Sequence, residues 1–226
     1  INLGQLIEKI GRIDGIERIR LSSVEPNLIN HDFMKILLNT GKVCDHFHLS
    51  LQSGSNGVLR RMHRRYTREE YKEKVDLIRS YMPQAGITTD IIVGFPGEND
   101  EEFEETLDFV KDIGFSRIHV FKYSPREGTP AAAYEDQIHG NIKNDRSRIL
   151  IELGDQLMRN FNSKYLGENL EVLYEMENKD QAANLEGYTS NYIRVKSKSD
   201  NDIIGNVVET KIIDSKDDLL IGEIRR

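Results

Sequence analysis

The chain has 226 residues, 38% of them hydrophobic and 31% charged, with a net charge of −7 and one cysteine, Cys44. That length suffices for one large domain or two ordinary ones, each with an apolar core. The balance excludes a generally basic nucleic-acid binder, an internal disulfide framework and any membrane span, which needs about 18 apolar residues in a row. No signal peptide opens the chain, and a reducing cytoplasm is the default for a sequence so poor in cysteine. Because the first residue is Ile1 and not Met, the expectation is that the chain begins inside a longer protein.

Leu3, Leu6, Ile7, Ile10 and Ile13 follow helical spacing, and residues 15–23 then read as a strand. A helix follows, with Phe33, Ile36 and Leu37 on one face and Gly41 as its terminator. In residues 46–51, Phe47, Leu49 and Leu51 alternate with His46, His48 and Ser50, the pattern of a strand. Cys44 packs near its start and has no base arranged around it. The strand gives way to the polar run Gln52–Gly57 and then to Arg60, Arg61, His63, Arg64, Arg65 and Arg68. Thr67 and Glu70 form a capping box for a helix that continues through Tyr71, Val75, Ile78 and Met82 to Pro83.

Residues 87–95 are a nearly unbroken β-branched run, as in a parallel strand covered on both faces. Asn99 caps a helix whose buried stripe is Phe103, Leu107 and Val110, and residues 117–123 form one more strand. Strands alternating with helices require a parallel sheet with right-handed crossovers, either doubly wound or part of a (β/α)₈ barrel. After Tyr123 come a loop, a long amphipathic helix over 145–161, and five short strands with period-two alternation. Turns at Asn178–Asp180, Ser199–Asn201 and Asp214–Asp217 separate several of these strands, which predicts a small antiparallel barrel like an OB-fold.

Ligands of parallel α/β folds lie outside the carboxyl ends of the strands. Four such ends, 22–27, 51–57, 90–100 and 122–130, carry Ser or Gly together with acids or amides. Gly94 inside an apolar strand allows close approach of a ligand, and Asp90 either points into the barrel or receives a helix cap. His46 and His48 share one strand face and read as satisfied core histidines. No HxxxH, CxxC or Walker-type loop supports metal or nucleotide hydrolysis.

The segments "RLSSVEPN", "HLSLQSGSNGVLRRMHRRYTREEY", "TTDIIVGFPGENDEEFEETLDFV" and "FKYSPREGTPAA", in that order, resemble the radical-SAM methylthiotransferases. The resemblance implies the later half of a radical-SAM barrel over 1–135, a connecting loop and helix over 136–163, and a TRAM domain over 164–226. It implies S-adenosylmethionine and two 4Fe–4S clusters in the full-length enzyme. The cluster cysteines have no counterpart here, so this chain alone binds no cluster and is inactive. Glu25, Gln52, Ser53, Asp90 and Gly94 match the cofactor rim, and Arg64 suits a cofactor carboxylate or an RNA phosphate.

"SSVEP" and "IHVFKYSPREGTPAA" resemble most the enzymes that methylthiolate C2 of N6-threonylcarbamoyladenosine at tRNA position 37. Isopentenyladenosine or ribosomal-protein enzymes are the alternatives, as is a module that only binds RNA. The implied partner is the tRNA anticodon loop; the sulfur donor stays open and no membrane is involved. Residues 164–226 hold nine Lys or Arg against thirteen Asp or Glu, so any RNA contact must be local. Strand alternation in "NYIRVKSKS" places Tyr192, Arg194, Lys196 and Lys198 together as such a surface. A half-barrel also leaves open edges and an apolar interior, which predicts self-association, or substitution of another element, to hide Leu21, Leu49, Leu51, Ile91 and Val93.

Overall fold

A computed structural model of the chain describes residues 1–177, 183–200 and 202–225. The first part alternates helix α1 (Leu3–Gly11), strand β1 (Ser23–Val24), α2 (His31–Thr40), β2 (His46–Leu49), α3 (Asn56–Arg61) and α4 (Arg68–Tyr81). It continues with β3 (Gly86–Val93), α5 (Asp100–Ile113), β4 (Arg117–Lys122) and the long α6 (Gly140–Ser163). Strands β1 to β4 form one parallel sheet in chain order. The local start and stop signals act as their chemistry requires. Thr67 with Glu70 and Asn99 with Glu102 make reciprocal capping boxes, and Gly41 ends α2 at φ 68°.

Three elements differ from the sequence expectation. The strand expected over 15–23 shrinks to Ser23–Val24 with one bridge at Ile19, because this edge segment has a partner on one side only. Residues 56–61, given no element from the sequence, form a short helix. Helix α6 begins at Gly140, five residues before the amphipathic pattern.

The sheet is two-faced. Phe47, Leu49, Ile87, Thr89 and Ile91 are 0% exposed and Val93 1%, in one core with Tyr71, Val75, Val110 and Phe115 of the helical layer. Leu21 and Leu51 belong to the same core. The opposite face carries His46, His48, Thr88, Asp90, Arg117 and His119, which line one hollow. This corrects the expected apolar interior: Leu49, Ile87, Ile91 and Val93 point outward to the helices, and the inner face is mainly polar, with Ile92 and Phe121 at its carboxyl end. The named apolar side chains are already covered within the chain and supply no drive to self-associate.

The second part comprises β5 (Asn169–Glu177), β6 (Leu185–Thr189), β7 (Arg194–Ser197), β8 (Val207–Lys216) and β9 (Leu219–Ile224). They close into a five-stranded barrel in the order β5-β6-β7-β9-β8. Four pairings are antiparallel and one, β7 with β9, is parallel, so the barrel is not wholly antiparallel as expected. Tyr174 is fully buried at its centre, its hydroxyl 2.7 Å from Ser197 Oγ and 3.0 Å from Thr210 Oγ1. The expected turn at 178–180 and residue 201 lie outside the described residues. The turn expected at 214–217 falls at Asp217, where φ is 54°, while β8 runs on to Lys216.

The small barrel seats on the amino-terminal ends of the sheet strands through polar contacts. Arg18 donates to the carbonyls of Tyr188 and Glu171, both at 3.1 Å. Asn191 donates to the Tyr165 hydroxyl at 2.6 Å and to the Gln84 carbonyl at 3.3 Å. Gly86 opens β3 directly beneath the Asn191 carbonyl, and a Cβ there would collide with that oxygen. Gly86→Ala should therefore lower stability to denaturant by about 1–3 kcal/mol through overpacking at this junction. An unchanged urea midpoint would show that the two parts shift freely.

The basic run after β2 is also tied locally. Asn56 donates to Glu69 at 2.8 Å and Arg68 Nε to the same carboxylate at 2.9 Å, and these bonds pull its pKa down to about 2. A carboxylate with a depressed folded pKa adds stability above its unfolded value of 4.5, and that stability fades as pH falls toward 2. The Glu69 side chain is 60% exposed, so solvent screening holds the contribution below about 1 kcal/mol. Glu69→Gln should flatten the stability profile in that window, read by urea titration at pH 5 and pH 2.5.

Candidate functional site

Two hollows lie along the inner face of the sheet. The first, about 400 Å³, sits at the carboxyl ends of β3 and β4 and is lined by Gln52, Asp90, Ile92, Phe121, Tyr123 and Arg126 among others. The second, about 510 Å³, lies nearer the small barrel, between His46, His48, Arg117 and His119 of the sheet and Tyr188 and Tyr192. Asp90 lines both, with its side chain 31% exposed. A further hollow of about 410 Å³ around Pro83, Phe161 and Leu170 lies at the amino-terminal end of β3 and gathers no converging catalytic groups.

Gln52 is held in the left-handed region at φ 70°. Its N–H donates to the Asp90 carbonyl and its own carbonyl accepts from Ile92, both at 2.9 Å, so the sheet itself maintains the unusual backbone. A non-glycine residue kept at positive φ stores strain, and such strain gathers at ligand sites. Tyr123, which borders this hollow, has a hydroxyl buried without a hydrogen-bond partner. Buried polar atoms are ordinarily paired, so this orphan marks a position where a ligand group would complete the set. Phe121, 53% exposed, offers a flat apolar surface beside it.

The other expected rim residues serve the walls. Ser53 is 2% exposed, 3.3 Å from Thr106 and accepting from the Ser55 N–H at 3.2 Å, which pins the loop to α5. Gly94, at φ 71°, sits under the Lys143 side chain and donates its N–H to Glu98. Glu25 is exposed ahead of a short 3₁₀ turn and lines neither hollow. Sequence reasoning missed the support for this rim. Arg146, 5% exposed on α6, donates to the Glu98 carbonyl at 3.0 Å and to Asp100 at 2.7 Å. Burial raises the Glu98 pKa against the pull of Arg146 and two backbone N–H groups. No local pattern in the sequence could have linked residues 98 and 146.

The basic cluster divides. Arg61 makes a bidentate pair with Glu102, and Arg68 pairs with Glu69. Arg60, Arg64 and Arg65 make no ion pair among the described residues. The expected RNA-facing strip is not continuous. Tyr192 takes φ 66° in the turn before β7, leaves the strand face and stacks on Tyr188 at 4.7 Å, with Arg20 4.2 Å above its ring. Arg194 lies 2.7 Å from Asp218 and 3.4 Å from Glu186, and Lys196 3.9 Å from Glu186, so carboxylates offset both charges. Lys198 is exposed.

Cys44 is 6% exposed, and burial pushes its thiol pKa up. A lone, buried thiol does not fit an iron–sulfur cluster, which takes three or four thiolates. The first hollow does fit a nucleoside-bearing cofactor, since it combines a carboxylate, an amide, aromatic rings and cationic side chains. Among the described residues no helix is long and apolar enough to cross a membrane.

Comparison with known proteins agrees with this layout. Residues 1–110 match the Radical SAM superfamily model. The chain is 42% identical over 215 residues to the threonylcarbamoyladenosine tRNA methylthiotransferase MtaB of Bacillus subtilis, covering 94% of this chain and 48% of that protein. It is 39% identical over 224 residues to the tRNA-2-methylthio-N(6)-dimethylallyladenosine synthase of Finegoldia magna, covering 99% and 49%. The chain thus spans about half the length of the curated relatives it matches. Among solved structures, coproporphyrinogen III oxidase (HemN) from Escherichia coli superposes with a TM-score of 0.54 at 16% identity, over 88% of this chain and 46% of that one, a likeness of fold alone. The parallel sheet with its polar inner face and these matches agree: over nearly the whole of its own length the chain is similar to the radical-SAM methylthiotransferases.

Proposed function

We propose that this chain is the later barrel half (1–135), the connecting segment (136–163) and the TRAM domain (164–226) of a cytoplasmic tRNA methylthiotransferase. The observation that carries the reading is the hollow at the strand ends, with strained Gln52, Asp90 and the unpaired Tyr123 hydroxyl around it. Asp90 and Gln52 would hold S-adenosylmethionine by its hydroxyl and amine groups, and Phe121 would lie against its base. When bound in the full-length protein, that cofactor and two clusters held by residues outside this chain supply the radical chemistry. This chain contributes binding, orientation and exclusion of water. The substrate is C2 of N6-threonylcarbamoyladenosine in the anticodon loop, supported by the 42% identity to a relative of that name. The 37–41% identity to dimethylallyladenosine enzymes keeps that nucleoside as the second reading.

In the full-length protein, Gln52→Gly removes the side chain without adding backbone strain. It should weaken S-adenosylmethionine binding about tenfold or more, the cost of one lost polar contact to a charged ligand, and lower the modified nucleoside in tRNA digests analysed by mass spectrometry. Wild-type affinity in this variant would remove the rim assignment. The digest identifies the nucleoside, and accumulation of methylthio-isopentenyladenosine would replace the threonylcarbamoyl reading. The 226-residue chain alone, after iron reconstitution, should release no 5′-deoxyadenosine.

For RNA, Arg64 and Lys198, which make no ion pair among the described residues, are better candidates for phosphate contact than Arg194 and Lys196. Arg64→Ala and Lys198→Ala should each reduce the salt slope of tRNA binding by about one. Equal slopes in wild type and both variants would place the RNA surface elsewhere.

A further inference from the structure

One cluster on the inner face joins Asp90, which the cofactor hollow shares, to two histidines that line only the second hollow. Asp90 pairs in register with His119 on β4, and Thr88 pairs with His48 on β2. Alternation along each strand therefore turns His48, Asp90 and His119 to the same face. Their donor atoms, two imidazole nitrogens and one carboxylate oxygen, all lie within 4.8 Å of one another. We propose that His48, Asp90 and His119 bind a divalent transition-metal ion of the Zn²⁺ or Fe²⁺ type, with open coordination positions facing the second hollow.

Hydrogen bonding around His48 carries the argument. Its Nδ1 lies 3.1 Å from Thr88 Oγ1, and the same oxygen lies 3.1 Å from His46 Nε2. A hydroxyl has one proton to give. Thr88 Oγ1 therefore accepts from at least one of the two rings, and either arrangement engages Nδ1 of His48. The other ring nitrogen, Nε2, faces Asp90 Oδ2 3.3 Å away.

A metal-bound histidine characteristically donates its second nitrogen to a neighbouring acceptor, and Thr88 fills that role. Two imidazoles with one carboxylate is a set that suits zinc and non-haem iron. Two arginines share the hollow, but each is engaged: Arg117 lies 3.8 Å from Asp218, and Arg20 stacks on Tyr192. Their charge would favour an anionic group in the open positions of the bound metal.

Asp90 is common to this inference and the cofactor reading, but the test reads metal binding and needs no methylthiotransferase activity. The 226-residue chain, freed of metal by chelator, is titrated with Zn²⁺ by calorimetry and with Co²⁺ by visible absorption. One equivalent should bind with the ligand-field bands of a low-coordinate nitrogen and oxygen site. His48→Gln, Asp90→Asn and His119→Gln should each weaken binding at least tenfold, and Thr88→Val by about tenfold. His139→Gln, on an exposed loop, should leave it unchanged. Where a variant loses its far-ultraviolet circular dichroism, the wild-type imidazole nitrogens decide. Their resonances at His48 and His119 shift with Zn²⁺ if the site exists. No stoichiometric binding, or unshifted resonances on saturation, would overturn the proposal and leave a proton between His48 and Asp90.

Discussion

The structure depends on the strict alternation of side chains along β3. Ile87, Thr89, Ile91 and Val93 turn to the helices, and Thr88, Asp90 and Ile92 turn inward. Because β3 is central, with β2 on one side and β4 on the other, its register fixes both neighbours. A slip of one residue would bury Asp90 among the aliphatic helices and expose Ile91 to the hollow. Burying an unpaired carboxylate costs far more than any surface ion pair returns, so this register is held from both faces. Thr89 shows how strict the outer face is. Its hydroxyl, fully buried, is satisfied by the Leu49 carbonyl and the Leu51 N–H, so even the polar group there closes on the sheet.

Elements signalled by local chemistry were legible in the sequence. The capping boxes at Thr67 and Asn99 and the left-handed glycine after α2 depend on residues within four positions of one another. The parallel sheet and the five-strand barrel followed from periodicity and spacing. What the sequence could not convey is direction within loops and pairing across distance. Gln52 and Ser53 are neighbours of similar polarity, yet one borders the hollow and the other is pinned beneath α5. That difference arises from the positive φ at Gln52, which no pattern announces. Tyr192 left its expected face for the same reason. Arg194 lost its free charge to Asp218, 24 positions away. His48 was read with His46 as a satisfied core residue. His46 is buried but satisfied at Nε2 alone, its Nδ1 having no partner among the described residues, and His48 meets one carboxylate and one imidazole contributed by two other strands.

The rim of the first hollow is rigid for a reason outside its lining. Arg146 clamps the turn after β3 by binding the Glu98 carbonyl and the Asp100 carboxylate, while Glu98 collects the N–H groups of Gly94 and Phe95. Helix α6, which leads to the small barrel, thus also fixes the loop beside the proposed cofactor position. The two halves of the chain share one structural member, and a disturbance of α6 reaches the rim without passing through the sheet.

The junction between sheet and barrel has an optical consequence. The chain contains no tryptophan and nine tyrosines. Two of these, Tyr188 and Tyr192, stack at 16° between planes beside Arg20 and within ring contact of His46. Aromatic circular dichroism in the near ultraviolet therefore originates from phenol and phenylalanine chromophores alone. A parallel phenol pair in a fixed chiral setting couples its transitions more strongly than isolated rings do. The seating of the small barrel consequently carries its own spectroscopic label, readable in the native chain without a dye.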